Sequence, residues 1–102
     1  TYMGVYKITN TVNGKIYIAT SSNLKSRWFT ICQQLDMGRF VISQLQKDWK
    51  ELGEKAFTYE VIEEKEVEES TDTRWELKQM EKEWLNKLQP YEDKGYNRPP
   101  KE

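Results

Sequence analysis

The first twenty residues constrain the fold more than any other stretch of this chain. Side chains alternate over residues 2–9, placing Tyr2, Gly4, Tyr6 and Ile8 on one face of a strand and Met3, Val5 and Lys7 on the other. Asn10-Thr11-Val12-Asn13-Gly14 is turn chemistry, with Asn-Gly its strongest part. Residues 15–20 read as a second strand, so a β-hairpin is expected. Two registers stay open. Closure around residues 10–13 sets Tyr6 directly opposite Tyr17, whereas Asn13-Gly14 as the central pair shifts every partner. Two phenols on one face of a small sheet are, taken alone, ordinary cross-strand packing.

Ser21-Ser22-Asn23 offers helix caps, and Leu24, Trp28, Ile31 and Leu35 follow at spacings of 4, 3 and 4. A helix to about Met37, ended by Gly38, is expected. A second helix should occupy residues 41–52, with Ile42, Leu45, Trp49 and Leu52 inward and Gly53 as its stop. Residues 56–62 alternate Phe57, Tyr59 and Val61 as a third strand. The acidic stretch Glu63–Glu69 reads as a solvated loop. A third helix should run over residues 71–88, with Pro90 ending it and residues 90–102 a partly irregular tail. The order strand, strand, helix, helix, strand, helix predicts one α+β domain over residues 1–102, with helices on a small, mostly antiparallel sheet.

Composition excludes several chemistries. A length of 102 residues suits one small domain with a modest core. No histidine is present, which removes Ser-His and Cys-His catalysis and histidine metal sites. A single cysteine, Cys32, rules out an internal disulfide and reads as core filler. No apolar run approaches the roughly 20 residues that cross a bilayer, so no membrane partner is expected and cytoplasmic residence is the default. The net charge of −1 hides an asymmetry: residues 1–50 carry seven Lys/Arg against two Asp/Glu, and residues 51–102 carry nine against fifteen. A basic first half can face phosphate while the acidic half faces water; a chance spread of solvated charge is the plainer account.

Two charged residues stand where their helices should be apolar. Arg27 lies three residues after Leu24 and four before Ile31. Glu81 lies four after Leu77, three before Trp84 and four before Leu85. A charge brought inward costs several kcal/mol (roughly) unless paired or ligated. An Arg27–Glu81 salt bridge or a snorkelling arginine satisfies this requirement. So does a concave site with a phosphate-binding arginine and a metal-binding carboxylate. Trp28, Trp49 and Trp84 fit core positions, while Trp75 falls on no clear stripe.

Taken together, these residues resemble the GIY-YIG nuclease family. The first tripeptide stands as Gly4-Val5-Tyr6 and the second as Tyr17-Ile18-Ala19. Asn23-Leu24-x-x-Arg27 resembles the family's arginine segment. Leu45-Gln46-x-Asp48-Trp49 with Gly53, Phe57 and Val61 resembles its middle section, Glu81-x-x-Trp84-Leu85 its glutamate helix, and Gly95-Tyr96-Asn97 its closing asparagine. The likeness spans residues 2–97. It implies a central three-stranded antiparallel sheet flanked by helices, and a hydrolase that cuts DNA phosphodiesters with one divalent metal ion, Mg or Mn. It implies Glu81 on the metal, Arg27 on the scissile phosphate, Tyr17 as general base assisted by Tyr6, and Asn97 shaping the site. It also implies that DNA is the partner, with specificity from an attached or separate DNA-recognition domain.

The pattern is altered at several points. Ala19 stands where the second tripeptide ends in glycine, and Ile31 where members place histidine or tyrosine one turn after the arginine. Phe40 and Ile42 occupy positions that are often polar. A drier, repacked pocket is one expectation; a DNA-binding domain with impaired catalysis is the other. A protein-interaction module using the aromatic and acidic surface is a reading from a different class.

Overall fold

The computed structural model describes residues 1–99, so the last three residues of the expected tail lie outside it. The hairpin forms from β1 (Tyr2–Asn10) and β2 (Ile16–Ser21). Its register pairs Tyr6 with Ala19 and Ile8 with Tyr17, so the two phenols are diagonal neighbours and neither expected register is correct. The turn explains why. The Asn10 N–H donates to the Lys15 carbonyl at 2.9 Å and the Gly14 N–H to the Asn10 carbonyl at 2.8 Å, enclosing residues 11–14. Asn10 Oδ1 accepts from Val12 N–H and Asn13 Oδ1 from Lys15 N–H, both at 2.9 Å. Two Asx turns thus build a four-residue loop, and Gly14 supplies its positive φ of 79°.

β3 (Phe57–Glu66) pairs antiparallel with β1, giving a three-stranded sheet ordered β2-β1-β3. The strand overruns its expected end by four residues, taking in Glu63–Glu66 from the acidic segment read as loop. Ladder bonds to β1 do not depend on side-chain polarity, and alternate side chains find partners. Glu63 accepts from Trp84 Nε1 at 2.7 Å, and Lys65 pairs with Glu76. The register slips between Val5 and Tyr6, leaving Ile62 as an extra residue on β3. At this bulge the backbones approach closely. A Cβ on Gly4 would overlap the Glu63 carbonyl oxygen and stand 2.8 Å from its carbon.

Helices cover both faces of the sheet. α1 (Leu24–Asp36) and α2 (Ser43–Leu52) cover the Tyr6 and Ile8 side. The core gathers there: Tyr6, Ile8, Leu24, Ile31, Leu35, Phe40, Leu45, Trp49, Phe57 and Tyr96 form one buried cluster. α2 starts two residues later than expected. Gln46 Oε1 accepts from Phe40 N–H at 3.0 Å and its Nε2 donates to the Leu35 carbonyl at 2.7 Å. That brace keeps the α1–α2 connection as a loop with Phe40 tucked inward. Of the expected inward positions of α2, Leu45 and Trp49 are buried, Ile42 is half-buried, and Leu52 is exposed beside Gly53.

α3 (Thr73–Leu88) packs on β1 and β2 across the opposite face, over Met3, Val5 and Ile18. Asp72 caps it, its carboxylate accepting from Trp75 N–H at 3.1 Å. No residue of α3 is fully buried, because a single helix lies on the sheet with nothing above it. Trp84, Leu85 and Leu88 are half-buried, and Trp75 is exposed. Among the described residues no helix is long and apolar enough to cross a membrane.

Candidate active site

The site is organised around a buried phenol. Tyr6 is wholly enclosed on the central strand, and Arg27, reaching over from α1, donates Nε–H to its oxygen at 3.2 Å. Tyr59 backs the Tyr6 ring at 5.4 Å, and Trp28 stacks on Tyr59 at 5.2 Å. The Tyr59 hydroxyl in turn donates to the Leu24 carbonyl at 3.3 Å, tying this aromatic wall to the first turn of α1. Arg27 is half-buried, and no salt bridge joins it to Glu81. Among the described residues the ion pairs are Lys7–Glu60 at 3.5 Å and Lys65–Glu76. The inward arginine is therefore satisfied by a phenol, leaving the rest of its guanidinium fork available for an anion.

Tyr17 lies on the same face, diagonal to Tyr6, with Phe40 edge-on to its ring at 5.9 Å. Burial pushes the Tyr17 phenol up to about 12, and the neighbouring Tyr6 and Glu81 add to the rise while Arg27 opposes it. Burial also raises Tyr6, against the Arg27 hydrogen bond and charge, and Glu81 again contributes to the rise. Both phenols are consequently protonated at neutral pH.

Glu81 approaches from α3, on the far side of the sheet but next to the edge strand. It shares a groove with Thr20 of β2 and with Arg74, Leu77 and Lys78 of its own helix. Its charge acts on both phenols, which places the four residues in one electrostatic neighbourhood. Arg74 and Lys78 stand seven and three residues before Glu81, a spacing that sets all three on one face of α3. Among the described residues no cluster of three or more acidic or thiol ligands exists. The donor set offered by Glu81 is one half-buried carboxylate. That fits only a hard cation whose shell is completed by water and phosphate oxygens.

Asn97 is committed to the backbone. Its Oδ1 accepts from Ile18 N–H at 2.9 Å and its Nδ2 donates to the Ile18 carbonyl at 2.7 Å. With Tyr96 N–H donating to the Ile16 carbonyl at 2.8 Å, the tail closes the free edge of β2 and fixes the strand that carries Tyr17. Tyr96 is itself held: its hydroxyl donates to Asp48 at 2.6 Å and accepts from Asn10 at 3.0 Å. Asp48 and Gln46, read from the sequence only as part of a pattern, thus have bracing roles.

The altered positions are apolar wall. Ala19, opposite Tyr6, packs its methyl on the core, and Ile31 is fully buried one turn after Arg27. Phe40 is buried and Ile42 half-buried. Cys32 packs at the core margin, its thiol pushed up to about 11 by burial and by Glu54.

This sheet order, with tyrosines on two strands, an arginine from the first helix and a glutamate from the last, describes a nuclease catalytic fold. The GIY-YIG catalytic domain model matches residues 2–97, and the chain belongs to that family. Among solved structures, a glutamate-to-alanine mutant of the catalytic domain of intron endonuclease I-TevI matches with a TM-score of 0.79 and 25% identity, over 95% of this chain and 93% of that one. The catalytic domain of the homing endonuclease I-TevI matches with a TM-score of 0.76 and 24% identity, over 96% and 99%. No curated protein matches the chain.

Proposed function

We propose that this chain is a metal-dependent DNA endonuclease domain that hydrolyses phosphodiester bonds. The observation that carries the reading is the Arg27–Tyr6 hydrogen bond, in a neighbourhood shared with Tyr17 and Glu81. A guanidinium held by a neutral phenol keeps its full charge for an incoming phosphate.

In this reading Arg27 binds the scissile phosphate and stabilises the negative charge that grows on its oxygens during attack. Tyr17, in its phenolate form, takes the proton of the water that attacks phosphorus as the P–O bond to the leaving sugar oxygen breaks, and Tyr6 assists by fixing Arg27. Asn97 contributes by holding β2 in place. Glu81 would hold a magnesium or manganese ion, which when bound supplies positive charge against the phosphoryl oxygens. Neutralising Glu81 removes one of the influences that raise Tyr17, which eases the phenol toward its basic form. Specificity for a target sequence would come from an attached or separate recognition domain.

A second reading, a DNA-binding domain with impaired catalysis, draws on the apolar wall. Ile31 and Phe40 neither donate nor accept protons, and Tyr17 is held in its protonated form. Plasmid cleavage at low salt with magnesium and with manganese, comparing the chain with Glu81→Ala, separates the two. Nicking that disappears in the variant supports the endonuclease. Salt-sensitive binding with no product in either metal supports the impaired domain.

A further inference from the structure

Arg74, Lys78 and Glu81 lie on one stripe of α3, at spacings of four and three residues, and open into the same groove beside Thr20. Both cations are exposed, and neither forms an ion pair among the described residues, although Lys78 stands one turn from Glu81. At about 1.5 Å per helical residue, they precede Glu81 by roughly 10 and 4.5 Å along the axis. With about 3.4 Å of rise per nucleotide on a duplex strand, those offsets reach phosphates roughly one to three nucleotides away. Thr20 continues the β2 edge whose preceding groups, at Ile16 and Ile18, bond Tyr96 and Asn97. The groove therefore runs along α3 past Glu81 and the two unpaired cations, with Thr20 of β2 facing them.

We propose that Arg74 and Lys78 are positioning residues that grip backbone phosphates of the DNA strand passing Glu81. This rests on the endonuclease reading and adds a binding track contributed by the acidic half of the chain. A track of two cations holds the strand in line with the carboxylate without touching the scissile phosphate, which is left to Arg27. It also supplies what a single-carboxylate metal site lacks: a substrate held close enough to complete the shell of the cation.

The test measures binding of the intact chain to a fluorescent 20-base-pair duplex without divalent metal, over a series of salt concentrations. Arg74→Ala with Lys78→Ala is compared with wild type and with Lys55→Ala plus Lys87→Ala, which removes equal charge elsewhere. The groove variant should lower the slope of log affinity against log salt by about 2, while the control pair changes it by well under 1. In cleavage, KM should rise with kcat within about threefold, as expected when ground-state and transition-state binding are lost together. An unchanged slope, a loss no greater than the control's, or no binding by wild type would overturn the proposal. Because the binding assay needs no product, a lowered slope in a chain that never cuts DNA leaves the proposal standing while the endonuclease reading fails.

Discussion

Arg27 donates its Nε–H to the hydroxyl of Tyr6 across 3.2 Å, joining the first helix to the central strand at the middle of the candidate site. The bond orients the guanidinium, whose Nη donors form no ion pair among the described residues. Arg27→Ala should lower kcat by about 10²–10³-fold, the usual cost of removing one preorganised donor from a developing anion. Arg27→Lys should recover little of this, because an ammonium lacks the planar fork. Single-turnover cleavage of a supercoiled plasmid measures both, and a loss within threefold for the alanine variant removes Arg27 from the chemistry.

A base whose phenol sits at about 12 is almost entirely protonated at working pH. If Tyr17 takes the proton of water, the cleavage rate should climb about tenfold per pH unit between pH 6 and 9, with no plateau. Tyr17→Phe should abolish that slope together with most of the rate. A wild-type profile that levels near pH 7 points to a different group.

Stability should respond to alkali in a defined window. Burial raises Tyr17 and Tyr96 to about 12, and burial also raises Tyr6 and Tyr59. In the unfolded chain these phenols ionise near 10, so above about pH 10 the unfolded state binds fewer protons than the native one. Their contribution to stability is intact below about pH 10 and is lost as pH rises toward 12. Urea midpoints at pH 9, 10, 11 and 12 should fall steadily, and less steeply for Tyr17→Phe. A constant midpoint contradicts the burial of these rings.

Asn97 should prove to be a brace. Replacing it with alanine strips both side-chain bonds from Ile18 and should cost about 1–3 kcal/mol of unfolding free energy. Asn97→Asp keeps the acceptor but faces the Ile18 carbonyl with a second acceptor, so it should be no better. Urea denaturation checks this. Full stability in either variant, with cleavage lost, would assign Asn97 to the chemistry.

Substitutions at the two ends of the tripeptides should both destabilise, but to different degrees. Gly4→Ala forces a methyl into the Glu63 carbonyl and should destabilise by about 3 kcal/mol. Ala19→Gly removes a methyl packed on the core, a loss of about 1 kcal/mol of burial and backbone entropy. Thermal melts of the two variants rank them, and equal melting temperatures would show that the bulge at Gly4 relaxes freely.

Periodicity, with turn and cap residues at its ends, made the elements legible. Alternation at Tyr6, Ile8, Phe57 and Tyr59 marked strands, and the 4-3-4 spacing from Leu24 to Leu35 marked a helix, because burial on one face writes its period into the chain. Arg27 and Glu81 stood out for the same reason, as charges interrupting apolar stripes. Positions that depend on partners distant in sequence were not legible. The tyrosines' diagonal placement came from two asparagine turns, and β3 ran into Glu63–Glu66 because β1 offered it a ladder. The exposure of Leu52 and the lack of any fully buried residue in α3 followed from how many layers lie above each helix. What the sequence by itself determined is which elements form, and where Arg27 and Glu81 interrupt their apolar stripes. Only the tertiary structure decided that Arg27 pairs with a phenol rather than with Glu81, and that Asn97 spends its amide on Ile18. Such pairings are fixed by distances between separate elements, and local spacing carries no record of those distances.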